Sequence, residues 1–476
     1  MLENLRTIDP IVLVFGATLA LFAALALRLA CKSNYGFMLL ATLLVLTAAA
    51  TRFTPLRALT KGVLRWPALI AMAGIGVLPV RRTATSWRHK GVLLGVAGFV
   101  AVSFLSCSYS IWPLYSFQKA GSVAILMVAA YVGVYQRAAH KEKLWEFAEV
   151  LYRLALLIGG LSALLIMAPV GGRASSRFAG FFLNPNGLGL FCSMLLPVAI
   201  WRHYEMRRLR KTSRHIALAL VFVLAALVFL SGSRGAFISG FLASAFVLFV
   251  LYGSRALLPV AAIIVIGVLG VVGNQLLQSF VLQKTEHLIR AERLATLTHR
   301  TELWRRAWPY VKAKPILGSG FGVSRYIFYD PQIEAGTFDP SDTYYTTLHS
   351  MHIQVAVDLG IVGVFFLWAL LAYIGYLGIR ILLERDRSPE RALAAGLLGG
   401  CIVVAMDTVI HGWLDSAGSQ GAFLFHVMFA CLLQATAQWR EERRLTREAE
   451  DAGSAAAGEA ASAAGEAPGE GAYAQP

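Results

Sequence analysis

The residues of this sequence that can do chemistry are few and widely spaced, and two of them are arginines. Arg234 lies in Ser231-Gly232-Ser233-Arg234-Gly235, a tight turn between two apolar blocks. Its glycines permit close backbone approach, the surrounding amides can bind an anion, and a guanidinium meets a phosphate fork to fork. A snorkelling interface anchor is the plain alternative, although a lone arginine on the side away from the basic loops is unexpected for one. Arg300, in His299-Arg300-Thr301-Glu302-Leu303-Trp304, opens an expected helix. There the positive end of the helix dipole would add to its own charge in holding a phosphate. Spacing alone fits a solvated loop arginine better.

Proton transfer would fall to histidine. His349 and His352 stand in Leu348-His349-Ser350-Met351-His352-Ile353-Gln354, three apart and so on one face once a helix has begun. An imidazole near its unperturbed pKa can take a proton from a sugar hydroxyl. Zinc fits poorly: a third ligand of the right kind is not near, and the spacing is not that of a metalloprotease helix. A structural histidine at a membrane interface stays open, more so for His352 than for His349. Asp407 and His411 are four apart on one apolar block, with Asp415 just beyond it. They read as a proton relay or, more readily, as a hydrogen-bonded pair that sets helix packing. Lys119, one turn inside the outer end of another block, can touch a phosphate or snorkel.

The elements that must position these residues are membrane helices. Of 476 residues, 57% are hydrophobic and 15% charged, whereas about a quarter are charged in a soluble domain. The apolar residues gather into blocks such as 11–29, 150–167, 215–230 and 257–272, each long enough, or nearly so, to cross about 30 Å of hydrocarbon. The ten-residue alternation of a β-barrel is missing. The net charge of +16 sits mainly in short loops between blocks, which is topology information and not a nucleic-acid face. Cys31, Cys107, Cys192, Cys401 and Cys431 fall in or beside apolar segments without metal or redox spacing and read as packing residues. Residues 11–29 read as a retained span, since no basic leader and small-residue cleavage site frame them.

The expected fold is all-α and polytopic, with about 12 transmembrane helices and one long outward loop containing helices. The short block 66–80 is left out of that count because Arg57, Lys61 and Arg65 precede it and Arg81, Arg82 and Arg88 follow it; it dips or lies at the interface. Residues 1–276 form an N-terminal bundle of about nine spans, 277–348 the long loop, 349–438 the C-terminal spans and 439–476 a cytoplasmic, disordered tail. Within the loop, 280–297 and 301–312 have helical periodicity. The second puts Leu303, Trp304, Ala307, Trp308 and Val311 on one face, and Pro309 should kink it. Gly318, Gly320 and Gly322 follow Pro315, and Tyr326, Phe328, Tyr329, Tyr344 and Tyr345 come after, a pattern expected of a mobile aromatic lid suited to sugars.

These motifs resemble a known family. Leu348-His349-Ser350-Met351-His352, followed by Asp358-Leu359-Gly360-Ile361-Val362-Gly363, is similar to the signature of the bacterial O-antigen ligase and polymerase superfamily. There a His opens the span after the long periplasmic loop and an acidic-apolar-Gly-apolar-apolar-Gly run follows. Arg300 to Trp304 with Pro315, Gly318, Gly320 and Gly322 looks like the upstream half of the same region; Ser231 to Gly235 and Phe182-Leu183-Asn184-Pro185-Asn186 look like earlier landmarks. The position after the His, usually Asn, is Ser350 here.

The resemblance implies an inner-membrane enzyme of about twelve spans with its active site facing the periplasm. It would move glycan from undecaprenyl pyrophosphate to lipid A core, inverting the anomeric centre without metal, nucleotide or other cofactor. Its partners would be the lipid-linked glycan, the lipid A core acceptor and membrane lipid, with no nucleic acid. Carried over, Arg234 and Arg300 would hold the pyrophosphate and His349 would activate the acceptor hydroxyl, with His352, Lys119 and Asp415 as supporting candidates. An O-antigen polymerase and a protein O-oligosaccharyltransferase share the signature and differ in acceptor. From other classes, a secondary transporter would predict inverted repeats that are not visible, and a peptidoglycan polymerase would use an acidic loop residue such as Asp330, Glu334, Asp339 or Asp342.

Overall fold

The computed structural model describes residues 70, 73, 89–166, 173–174, 177–256, 286–327, 348–384, 386–412, 414 and 419–465. The apolar blocks expected near 10, 35, 66 and 257, the loop residues 328–347 and Asp415 lie outside the described residues. In chain order the helices are α1 (Lys90–Leu105), α2 (Pro113–Met127, continuing through a π-helical stretch to Arg137), α3 (Lys141–Leu164), α4 (Pro185–Arg208) and α5 (Arg214–Ser231). Then come α6 (Arg234–Tyr252), α7 (Glu286–Ala313), α8 (Met351–Leu383), α9 (Pro389–Asp407) and α10 (Gln420–Gly465). A two-residue antiparallel hairpin, β1 (Arg173–Ala174) with β2 (Arg177–Phe178), joins α3 to α4.

Among the described residues, eight helices, all but α4 and α7, are long and apolar enough to cross a membrane. Their outward faces carry bare apolar side chains: Leu94, Phe222, Phe365 and Leu383 are each about two-thirds exposed. Lipid is the solvent that tolerates this. The fourth helix is too polar to count by composition, yet at 24 residues and about 1.5 Å per residue it is long enough to span. It packs against α3, α5, α6, α9 and α10, so its polar groups meet protein and not lipid. Small residues let these helices approach closely. Ser193 Oγ of α4 donates to Ala236 O of α6 at 2.6 Å, and a Cβ at Gly400 of α9 would lie 2.7 Å from Met194 O of α4.

The basic loops collect at one end. Lys141 pairs with Glu390 at 2.6 Å and Glu442 at 2.5 Å, and Arg202 with Glu149 at 2.6 Å. The buried Arg391 donates to Ile381 O, Asp386 O and Val250 O, which satisfies a cation that burial would otherwise penalise. The candidate residues stand at the opposite end.

One helix is broken on the way there. At Gly360, α8 takes φ 59°, ψ −151°, a region open to glycine and little else. A break inside a bundle orphans amides and carbonyls that must find partners. Residues 315–322, just beyond α7, supply them. Ile361 N donates to Pro315 O at 2.9 Å and Val362 N to Ile316 O at 3.4 Å; in return Ser319 N donates to Val357 O at 2.8 Å and Gly320 N to Asp358 O at 2.9 Å. The other edge of the strip is held by the α1–α2 turn, where Ile111 N donates to Ser319 O, Tyr109 Oη to Leu317 O, and Ser106 Oγ accepts from Phe321 N. Asp358 closes the arrangement by accepting from Ser324 N at 2.7 Å.

This corrects the glycine part of the expected mobile aromatic lid, whose Phe328, Tyr329, Tyr344 and Tyr345 lie outside the described residues. Residues 318–323 are buried, and a Cβ on Gly318 would sit 2.5 Å from Asp358 O, so the glycines serve backbone-to-backbone contact. Three further expectations change. The two loop helices are one continuous α7 that contains Pro309. On it Leu303 and Ala307 are buried against Ile327, Leu348 and Val357, but Trp308 is 52% exposed, because the helix turns it about 100° away from Ala307. The irregular tail expected from Ala452 is instead helical through Gly465 and exposed as far as Ala457, which suits its Ala and Glu content.

Gly360→Val should lower the thermal midpoint of the detergent-solubilised protein steeply, by several °C or to misfolding, since backbone strain of about 1–3 kcal/mol adds to a Cβ 2.4 Å from Ile316 O. Gly121→Ala, with open space around it, should leave the midpoint within error; equal losses in both would remove the break as a special constraint.

Candidate functional site

The turn between α5 and α6 is built before any ligand arrives. Gly232 ends α5 at φ 60°, in the left-handed region. Ser231 Oγ donates to Val228 O and accepts from Ser233 N. Arg234 therefore begins α6 as an exposed residue on a fixed turn.

A second arginine lies over that turn. Arg177, on β2, donates through Nε to Ser231 O at 2.9 Å and through Nη2 to Asn186 Oδ1 at 2.8 Å. Asn186 in turn sits at the start of α4, where Asn184 Oδ1 accepts from its amide at 2.9 Å, an N-cap contact. The Asn184-Pro185-Asn186 motif thus anchors an arginine as well as a helix. Burial, with a smaller contribution from the charge of Arg234, holds the Arg177 guanidinium below its usual pKa. Two close cations with one partly desolvated make a place where an anion is welcome. Sequence reasoning passed Arg177 by, although the positive-inside argument used for Arg234 applies to it equally.

On α7, Arg300 and Trp304 are one turn apart. Trp304 Nε1 donates to Leu348 O at 2.7 Å, which ties the helix to the residue just before His349. Burial lowers the Arg300 guanidinium, and the Asp407 carboxylate partly offsets this. Its neighbours Arg305 and Arg306 are spent locally: both bind Glu302, at 2.8 and 2.9 Å, and Arg305 first and Arg306 second pull that carboxyl to about 2. Arg300 is the cation of this helix turned toward Asp407.

His349 has φ 49°, one of two non-glycine residues with positive φ among those described. Such strain persists where its surroundings over-determine it. Here Leu348 is held by Trp304, and Ser350 takes the N-cap position of α8, buried, with its carbonyl accepting from Gln354 N. Met351 N donates to Thr408 O at 2.8 Å, which locks the start of α8 to the end of α9.

Asp407, the last residue of α9, is where these parts meet. A Cβ at Gly235 would lie 3.4 Å from its Oδ1, so it sits beneath the Arg234 turn while feeling the charge of Arg300. The same Oδ1 is 2.9 Å from His411 Nδ1, and the His411 ring meets that of His349 edge-on, centroids 6.4 Å apart. The backbone of the Arg234 turn, the charge of Arg300 and, through the His411 ring, His349 are thus brought to the end of α9. His352 braces them: its Nε2 lies 3.4 Å from Thr408 Oγ1 and its ring packs against Trp368. Lys119 packs its stem over Gly322 and borders the glycine strip; none of the described contacts joins it to Asp407. No cluster with metal-ligand character occurs among the described residues.

Residues 218–369 match the O-antigen ligase family. The matched stretch takes in the Arg234 turn, Arg300, the glycine strip, His349 and the Asp358–Gly363 run, while the Phe182–Asn186 landmark falls outside it. The match covers about a third of the chain, and together with the membrane-length helices it supports an O-antigen ligase/polymerase-like membrane glycosyltransferase. No curated protein matches the chain. Arg177, Asp407 and His411 fall outside the ligase-family stretch, yet they hold its residues together.

Inorganic pyrophosphate should raise the thermal midpoint of the solubilised protein. Arg177→Ala should remove at least half of that rise, because Ser231 O and Asn186 Oδ1 lose their donor and Arg234 its neighbour. An undiminished rise would leave Arg177 a purely structural clasp.

Proposed function

We propose that this protein is an O-antigen ligase: it transfers glycan from undecaprenyl pyrophosphate to a sugar hydroxyl of lipid A core at the periplasmic face of a bacterial inner membrane. The observation that carries the reading is that the Arg234 turn, Arg300 and the start of α8 with His349 all meet the end of α9, away from the basic loops. The positive-inside rule makes that end the outward one.

The chemistry required is modest. A pyrophosphate ester is an activated leaving group, so positioned cations and one base are sufficient equipment. Arg234 and Arg300, joined by Arg177, would stabilise the charge that builds on the departing phosphate. His349 would take the proton of the acceptor hydroxyl as its oxygen attacks the anomeric carbon from the face opposite the phosphate, which inverts that centre. General-base help of this kind is worth about 10²–10⁴-fold. The acceptor is the least constrained part of the proposal, since polymerase and protein-glycosylating relatives need the same donor machinery.

Reconstitution with an undecaprenyl-pyrophosphate-linked glycan and three acceptors, lipid A core, a second donor molecule and a pilin-like protein, should give glycosylated lipid A core. Product on either of the others would reassign the acceptor class. His349→Ala should cut transfer by at least about 100-fold with normal insertion and folding; full activity would remove it as the base. Arg234→Lys keeps charge but not the fork, and a large loss of turnover is expected; unchanged turnover would reduce it to an anchor. EDTA should leave the rate unchanged, and inhibition reversed by a divalent ion would contradict the metal-independent mechanism.

A further inference from the structure

Asp407 and His411 form the buried hydrogen-bonded pair that the sequence favours over a relay, and their place in the fold gives that pair a second use. It lies where the end of α9 meets the Arg234 turn and the start of α8. The α9 helix ends at Asp407, and the chain folds back so that Ile410 N and His411 N both donate to Asp407 O, at 3.0 and 2.9 Å. This brings His411 Nδ1 to 2.9 Å from Asp407 Oδ1 with both side chains about 95% buried.

A carboxylate on Nδ1 fixes the orientation of an imidazole and stabilises its charged form. The His411 ring so held stands at 75° to that of His349. The relation is rigid, since Met351 N is bonded to Thr408 O and His352 approaches Thr408 Oγ1.

We propose that His411, oriented by Asp407, is a positioning residue for His349: it holds the base in its reactive setting and receives the proton that His349 has taken. The proposal rests on the ligase reading of the site. In the step, the acceptor O–H bond breaks and its proton goes to a His349 ring nitrogen. The acceptor oxygen bonds to the anomeric carbon as the bond from that carbon to the phosphate oxygen breaks, and its electron pair leaves with the pyrophosphate. The proton then passes from His349 to His411, whose imidazolium is paired with the Asp407 carboxylate, so the base is free again without release of a proton among the arginines.

Among the described residues, the charged and titratable groups around the pair are Arg300 from α7, the Arg234 turn of α6, and His349 and His352 from the start of α8. Asp407 supplies the negative charge among them, so removing it should disfavour a charged imidazole at His349.

Two measurements test this. The first needs no substrate: the rate at which diethyl pyrocarbonate modifies His349, followed by mass spectrometry against pH in the full-length solubilised protein, reports its titration. Its midpoint should fall by about one pH unit in Asp407→Asn and stay in place in Asp407→Glu. An unmoved midpoint in Asp407→Asn overturns the coupling. The second uses transfer. His411→Ala should lose at least ten-fold in kcat with little change in donor KM, and added imidazole should restore part of the loss. Full rate, or a loss indifferent to imidazole in both His411→Ala and His411→Gln, overturns the proton-receiving role. If wild-type protein transfers no glycan while the His349 midpoint still shifts, the ligase reading has failed and the dyad has not.

Discussion

A helix cannot simply stop and restart inside an apolar bundle, because its freed amides and carbonyls have no water to turn to. The break at Gly360 is possible because residues 315–322 run alongside it and exchange four backbone hydrogen bonds with α8. Everything at the site end depends on that exchange. It fixes the far end of α7, it docks the strip against the α1–α2 turn, and it sets the short first segment of α8, with His349 at its head. The family signature in this part of the chain is therefore mostly a record of backbone satisfaction: Gly360 for its dihedrals, Gly318 and Gly320 for close approach, and Asp358 as a cap for Ser324.

The second organising term is electrostatic. Arg177 of β2 and Arg234 of α6 lie close enough to feel one another, and Arg300 of α7 feels the Asp407 carboxylate of α9. Arg177 is held by Ser231 O and Asn186 Oδ1, neither of which carries charge. Cations so concentrated suit a polyanion. The neighbouring Arg305 and Arg306 show the contrast, since Glu302 binds both on an exposed face. The Asp407 carboxylate also meets His411 Nδ1.

The membrane character and the helix positions were legible from composition, since both depend only on local apolar length. All nine apolar blocks expected within the described residues are helices. Arg234, Arg300 and His349 were picked out as candidates by residue chemistry, placement and motif. The glycine strip was misread because sequence shows that glycine has freedom and not what uses it. Here the use is a neighbouring backbone some forty residues away, at α8.

What the sequence by itself determined is therefore the solvent this chain lives in, the order of its helices and the inventory of reactive side chains. Only the tertiary structure showed that Arg177 lies over the Arg234 turn, that Trp304 ties α7 to Leu348 just before His349, and that Asp407 pairs with His411 beside the His349 ring. The physical reason is range. Hydropathy and charge bias act along the chain, whereas a carboxylate shared by α6, α7, α8 and α9 exists only once helices distant in sequence have packed against one another.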